Sequence, residues 1–409
     1  MAQADCNEGI PPDNIARQAG EYPPQIARSP RSEPREPAVD LDDGMPARCH
    51  IRIARVDTAV SCLLTGLAML AKRGRVILSQ EWTPAPLPAR GGRWHLADKA
   101  STGCSIAIDD RCSAFVDVHD SWEIDPEALR QNDLYFKRSL NRSRVATEMQ
   151  HKLRPLGLIH DTHAAGFDRF EARRIAMRPV SLPRRTLDLL SMIAHCAAGR
   201  FDRGGRATVS ALTASPDPRL SPRVIFMVGV WDPSAIPADE IEKIAEFEAV
   251  NEMRAGCVRA LRREFGARFY GGIQHSVFAR GRFPDLLLPD HASSSKLAYL
   301  RRLRDYPIGV ATTGLHESNG WKLSEYVGLS RAIVSEPLRY SVPGGFTHPT
   351  HYLPFSSPEA CVEQVALLMD RPAERMQQMQ RNRDYYQAWM RPDVLAWRII
   401  QLTRETSAP

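Results

Sequence analysis

Hydrophobic positions acquire a regular period only at Cys49. Before it, residues 1–46 are rich in Pro, Arg, Asp and Glu, with few aromatics and no apolar repeat. Such a segment cannot bury enough surface to offset the entropy of ordering it, which predicts a disordered tail. HIRIARV then alternates like a strand. TAVSCLLTGLAMLAKRG predicts a helix with a broad apolar face, closed at its carboxyl end by Lys72, Arg73 and Gly74. VILSQEW is a buried strand, so the three segments form a β-α-β unit with parallel pairing. No GxGxxG opens the helix, which argues against a dinucleotide here. After the Pro- and Gly-rich TPAPLPARGG, SIAID and AFVDV are two further strands. The second runs into His119-Asp120-Ser121-Trp122, polar groups at a strand's carboxyl end. DPEALRQ is helix-prone. NDLYFKRSLNRS mixes Tyr135 and Phe136 with Lys137, Arg138 and Arg142; Tyr135, Lys137 and Arg138 could meet an anionic ligand, but a packed aromatic face with solvated bases is the expectation. KLRPLGLIHD predicts an edge strand broken by Pro155. PRRTLDLLSMIAHCAA predicts a helix leading out of this region, and GRFDRGG a linker.

The second half opens on RVIFMVGVWDP, a strongly apolar strand, followed by a long helix from Pro237 to about Phe265 with its acids early and its bases late. ARFYGGI is the next strand, Lys296 to Arg304 a short basic helix, and IGVATTG, AIVSE and HYLPF three more strands. A helical tail interrupted at Pro392 completes the chain. This alternation predicts an α/β protein of two similar units: residues 47–205, residues 206–382, and terminal helices over 383–409.

Composition narrows the class. A length of 409 residues suits two domains, and a 43% hydrophobic, 25% charged composition is that of an ordinary globular protein. The net charge of +6 is scattered arginine rather than a nucleic-acid stripe. None of the 8 cysteines forms a CxxC, and several sit in apolar runs, which predicts reduced thiols acting as small hydrophobes. The longest apolar run, SCLLTGLAMLA, falls short of the roughly 20 residues a membrane span needs. Asp5, Glu8 and Asp13 stand where a secretory signal would be basic. These features predict a cytoplasmic protein, at most peripheral to the inner face of a membrane. The absence of GxSxG, P-loop and HExxH sequences argues against a serine hydrolase, a P-loop NTPase or a zincin. The pairs His348/His351 and His160/His163 lack further ligands at helical spacing, so no metal is expected.

Chemistry concentrates between Ala311 and Gly345. There a strand ends in Glu317-Ser318-Asn319-Gly320, a helix begins at Trp321, and Glu325 follows Glu317 across seven residues. In α/β domains ligands bind outside the carboxyl ends of parallel strands, where this stretch lies. Glu317 at the turn can accept hydrogen bonds from a ligand's hydroxyls or stabilise a developing positive charge. Glu325, about two helical turns on, is placed to accept from two neighbouring hydroxyls of the same ligand. The backbone N–H groups of Ser318, Asn319 and Gly320 at a helix N-terminus favour a diphosphate, and Lys322 adds a cation. Arg254, Arg280 and Lys296 are further candidate bases for that diphosphate. His119 and Asp120 can orient an acceptor hydroxyl or act as base, although a His-Asp pair at a strand end is more often structural.

With its Gly turn, the following strand Ala332-Ile333-Val334 and the later loop Pro343-Gly344-Gly345, this stretch resembles the donor-binding half of GT-B glycosyltransferases. It is closest to their retaining, group 1-like families with an E-x7-E motif. WKLSEYVG, RAIVSE and YFKRS resemble bacterial glycosyltransferase-like proteins of polysaccharide synthesis. The resemblance extends from about Arg223 to Ile399, and reaches the first unit by topology alone. It implies two Rossmann-like domains facing across a cleft, with C-terminal helices crossing back to the first. It also implies metal-independent sugar transfer from a nucleotide-diphosphate sugar to a glycan or lipid-linked acceptor, with Glu317 toward the sugar and its anomeric carbon and Glu325 toward the two ribose hydroxyls. The chain departs from the pattern in one place: VGVWDP carries no Arg/Lys pair after the first strand of the second half. That departure keeps open a silent nucleotide-sugar- or partner-binding module, and a related sugar-nucleotide epimerase.

Overall fold

A computed structural model describes residues 45–53, 60–82, 103–163, 182–197, 207–289 and 296–406. The expected tail, the TPAPLPARGG loop and the GRFDRGG linker lie outside these, apart from residues 45 and 46.

The second half shows most directly how sequence becomes architecture. Its five-stranded sheet is parallel throughout, in the order β11-β10-β9-β7-β8. These strands are β7 (Val224–Val228), β8 (Phe269–Ile273), β9 (Ile308–Ala311), β10 (Ala332–Ser335) and β11 (Leu353–Pro354). The run VIFMV is apolar at every position because both faces are covered. Val224, Phe226 and Val228 join one core with the long helix Ile241–Phe265 and the helix Pro358–Asp370. Ile225 and Met227 join another with Tyr299, Leu323, Tyr326 and Tyr386.

The first half is also α/β but mixed. Its six strands run β2-β1-β3-β4-β5-β6. They are β1 (Ala47–Ile53), β2 (Val76–Trp82), β3 (Gly103–Ile108), β4 (Cys112–Asp117), β5 (Leu134–Lys137) and β6 (Leu153–Pro155). The helix Ser61–Lys72 connects β1 to β2, which pair in parallel as expected. β3 departs from a fully parallel sheet: it is antiparallel to both β1 and β4. The cause is local. Only Asp109, Asp110 and Arg111 separate it from β4, too few for a parallel crossover, and both aspartates adopt the left-handed conformation that a tight turn needs.

The chain returns to the first half at its end. After the helix Pro372–Tyr385 and the π turn Tyr386–Met390, the helix Pro392–Thr406 buries Leu395, Trp397, Ile399 and Ile400 in the core of the first sheet. Gly66 permits this approach, since a Cβ there would lie 1.9 Å from the Pro392 carbonyl oxygen. Buried Asp393 then pairs with Arg391 and Arg73, locking the two helices. The carboxyl ends of the two sheets meet. Arg138, just beyond β5, donates to the Asn319 carbonyl at 3.0 Å, and Ser341 N–H donates to the Leu140 carbonyl at 2.9 Å. The cysteines whose side chains are described, Cys49, Cys62, Cys104, Cys112, Cys257 and Cys361, are all buried and unbridged. Burial pushes the Cys49, Cys62 and Cys104 thiols up to about 12, which keeps them protonated and inert.

Candidate functional site

Beyond β9 the backbone makes a strained turn. His316 and Glu317 hold φ values of 59° and 56°, unfavourable for residues with a Cβ and typical of positions that the surrounding structure over-determines. The restraints are visible. The His316 N–H donates to the Glu246 carboxylate on the long helix, and the Tyr340 hydroxyl donates to the His316 carbonyl. Gly314 N–H closes the turn on the Ser318 carbonyl at 2.8 Å. Gly320 precedes the helix Trp321–Gly328, and a Cβ at this position would lie 2.8 Å from the Thr312 carbonyl oxygen. Ser318 and Asn319 are buried, and the Asn319 Oδ1 has no hydrogen-bond partner among the described residues.

Arg254 ties the strand ends together. It donates to the carbonyls of Gly229 and Thr313, each at 2.9 Å, and to the Thr312 hydroxyl at 3.1 Å. Burial lowers its pKa to about 10, opposed by Glu336, so it stays charged. The guanidinium is committed to backbone, and its contribution to the site is positive charge and a fixed strand-end geometry.

Glu325 forms the centre of the site. It is 2% exposed, and its Oε1 pairs with Lys296 Nζ from the helix Lys296–Leu303. Burial alone would raise its pKa, but Lys296 and Lys322 outweigh burial and hold the carboxyl below its ordinary value. Lys322 Nζ lies 4.2 Å from the centre of the Tyr299 ring. Burial lowers the Lys322 pKa to about 8, helped by Lys296 and Arg254 and opposed by Glu325. The Tyr299 phenol, three residues beyond Lys296 and so one helical turn away, is held protonated by burial. The first half contributes His160. This residue is fully buried, stacks on Tyr386 with ring centres 6.2 Å apart, and has no partner for either ring nitrogen among the described residues. Burial drops its pKa to about 4 in spite of the Glu325 charge, leaving it neutral.

Glu317 is different in kind. Its side chain is 47% exposed between Arg144 of the first half, at 3.2 Å, and Arg339 of the second, at 3.5 Å. Arg144 also lies over the Trp122 ring at 5.5 Å. His119 accepts from the Ser121 N–H through Nδ1 at 3.1 Å, which puts the proton of the neutral ring on Nε2. The far nitrogen therefore offers a donor to an acceptor hydroxyl rather than a base. Burial and the Lys137 charge hold the His119 pKa below its ordinary value. Asp120 is engaged by Arg138, which also stacks on Trp321 at 4.5 Å.

The expected cluster thus divides. Lys296, Lys322, Glu325 and the charge of Arg254 come together, while Glu317 stands at the junction of the halves with His119 and Asp120 on the opposite side. Arg280 is exposed on the short helix Val277–Arg282. The expectation of solvated bases on the YFKRS strand is corrected: Lys137 is fully buried and Arg138 nearly so. Lys137 Nζ reaches Asp117 Oδ2 at 2.8 Å, and the Tyr135 hydroxyl donates to the same oxygen. Sequence reasoning missed His160, Arg144 and Arg339. It also missed Tyr299, although its i, i+3 spacing from Lys296 was available.

No family model and no curated protein matches the chain. Among solved structures it is similar to the C-terminal domain of a glycosyl transferase group 1 family protein (LpcC) from Francisella tularensis. That match has a TM-score of 0.29 and 10% identity, over 44% of this chain and 95% of the other. HepE from Anabaena, solved with UDP and glucose, matches with a TM-score of 0.33 and 8% identity, over 86% of this chain and 97% of the other. TarM matches with a TM-score of 0.33 and 12% identity, and the match covers 68% of this chain and 51% of TarM. The chain is also similar to the glycotransferase of kitacinnamycin, with a TM-score of 0.32 and 11% identity, over 89% of this chain and 100% of the other.

Proposed function

We propose that the protein transfers a sugar from a nucleotide-diphosphate sugar to an acceptor hydroxyl. The observation that carries this reading is Glu325, a buried carboxylate between Lys296 and Lys322 on the first turns of the helix after β9. A lone buried ion pair is weak evidence of stability, since desolvation offsets its attraction. An arrangement with two cations for one carboxylate has charge to spare for an anion.

In this reading Glu325 accepts from the ribose hydroxyls. Lys296, released from Glu325, joins Lys322 and the N–H groups at the helix N-terminus in holding the diphosphate. These groups stabilise the leaving nucleoside diphosphate as the bond between the anomeric carbon and its oxygen breaks. Glu317 then faces the sugar, where it meets a hydroxyl or the positive charge at the anomeric carbon. The acceptor oxygen bonds to that carbon, and its proton leaves with the departing phosphate or solvent. His119 orients the acceptor through Nε2. We place the acceptor among glycans or lipid-linked glycans of bacterial polysaccharide or envelope synthesis, made in the cytoplasm. The support is the resemblance of WKLSEYVG, RAIVSE and YFKRS.

One observation favours a binding-only protein: Asp120 is committed to Arg138, which takes a carboxylate away from the acceptor side. Thermal unfolding with uridine, guanosine, adenosine and thymidine diphosphates tests the donor site. At least one should stabilise the wild type, and Glu325→Gln should lose that shift; no shift with any of the four removes the donor site. Product formation from the stabilising nucleotide's sugars then separates a transferase from a binder. Isomerised donor without acceptor would indicate an epimerase.

A further inference from the structure

The helix Leu182–Ala197 presents an apolar surface that joins none of the hydrophobic cores described above. Leu182, Leu187, Leu190 and Ile193 are 73%, 62%, 57% and 49% exposed, whereas most large apolar side chains of the described residues are buried. On a helical wheel these four fall within an arc of about 140° at 100° per residue. The other residues in that arc are Pro183, Thr186, Ala194 and Ala197, so it contains no charge. Arg184, Asp188 and His195 take wheel positions outside it.

The surrounding sequence is strongly basic. Residues 164–206 carry nine arginines against four acids, which is most of the chain's net charge of +6. An uncharged apolar arc within an arginine-rich stretch matches the chemistry of an anionic membrane surface, where the apolar face enters the headgroup boundary and the bases meet phosphate. The helix has 16 residues against the roughly 20 of a span, and among the described residues no helix is long and apolar enough to cross a membrane. A second copy of the chain would cover the apolar arc but would bring its own arginines against these.

We propose that the helix Leu182–Ala197 lies flat on an anionic lipid surface, with Leu182, Leu187, Leu190 and Ile193 inserted at the headgroup boundary. The chain would then be held at a membrane through this helix. This proposal does not depend on the donor site, so either can fail without the other.

The test uses the full chain and sedimentation with vesicles of phosphatidylcholine, alone or mixed with phosphatidylglycerol. Binding to the mixed vesicles should be at least about tenfold stronger than to phosphatidylcholine alone, and should weaken at high salt. The double variant Leu187→Glu/Leu190→Glu should lose about tenfold or more of that binding while keeping its far-ultraviolet circular dichroism and its response to nucleotide. A Leu190→Trp variant supplies a second readout, with emission shifting to the blue on mixed vesicles. Wild type remaining in the supernatant, equal binding by the double variant, or an unshifted tryptophan each overturns the proposal. So does a wild-type dimer in gel filtration that the double variant dissolves, because the face would then belong to a second copy.

Discussion

Each half of the molecule buries an ion pair near the carboxyl ends of its strands, and the two pairs are built differently. In the first half Asp117 and Lys137 stand on neighbouring strands, with side chains 8% and 0% exposed, and the Tyr135 hydroxyl shares the same carboxylate oxygen. The charges balance one to one and have little contact with solvent. In the second half the Glu325 side chain is 3% exposed, but that of its partner Lys296 is 32% exposed and a second cation, Lys322, stands beside it. A sealed, balanced pair fixes strand register and His119. A pair that is open on one side and carries surplus positive charge can exchange partners with an incoming anion. Burial of charge is common to both sites, so openness and charge imbalance are what separate a structural pair from a candidate binding site.

The largest expected effect breaks the sealed pair. Asp117→Asn leaves Lys137 buried without a counter-charge and should cost about 3–5 kcal/mol in urea unfolding. Replacing both members, Asp117→Leu with Lys137→Met, should recover most of the loss. A cost below about 1 kcal/mol for Asp117→Asn would show that the pair is not sealed.

Glu325→Gln comes next and should divide differently between stability and binding. Because Lys296 can turn to water, the stability cost should be only about 1–3 kcal/mol, while the response to nucleoside diphosphate disappears. If unfolding free energy falls as far as in Asp117→Asn, the two pairs are alike and the comparison fails.

Protons sharpen the contrast further. The folded pKa of Lys322, about 8, lies below the ordinary 10.5 of lysine. Between these values the unfolded chain holds a proton that the folded chain lacks, so stability should rise with pH across that window. Diphosphate affinity should fall over the same range, because the ammonium is what meets the anion. Binding titrations from pH 7 to 10 alongside urea melts should therefore show opposite slopes, and Lys322→Met should flatten both. Parallel slopes would separate Lys322 from the anion site.

A smaller effect is expected on the acid side. Burial lowers both His160 and His351 to about 4, below the ordinary 6.5. The unfolded chain takes up those protons first, so stability present above about pH 6.5 is lost as pH falls toward 4. His160→Phe should remove about half of that loss, one proton of the two. An unchanged acid limb would mean that His160 does not titrate as its burial implies.

The smallest effect belongs to the exposed acid. Glu317→Gln should change stability by less than about 1 kcal/mol, since its contacts with Arg144 and Arg339 are open to solvent. A large loss would make the junction of the halves, rather than the strand-end pairs, the place where charge matters most.

The elements of the second half were legible because local rules agree there. The VIFMV run, the length of the helix to Phe265 and the Gly320 turn each point to a parallel sheet covered on both faces. The first half was readable to the level of its strands, and the three-residue turn at Asp109 decided a direction that apolar pattern does not encode. Within the site, Glu325 and Lys322 stood out by spacing and type, and Lys296 only as one of several candidate bases. The partners His160, Arg144 and Arg339 were not, because each is brought in from a distant stretch by the meeting of strand ends. The burial of Lys137 was missed for the same reason: the strand is apolar except at the position where Asp117 waits on its neighbour.

By itself the sequence determined the order of elements, the two α/β units and the stretch where a strand yields to a polar turn and a helix. These follow from hydrophobic period and turn chemistry, which act over a few residues. Only the tertiary structure decided which charges balance. The net field at Glu325, the solvent access of Lys296 and the two arginines around Glu317 depend on side chains separated by up to 173 positions, as Arg144 is from Glu317. Electrostatic energy is set by distance and burial in space, and neither is written in the spacing of residues along the chain.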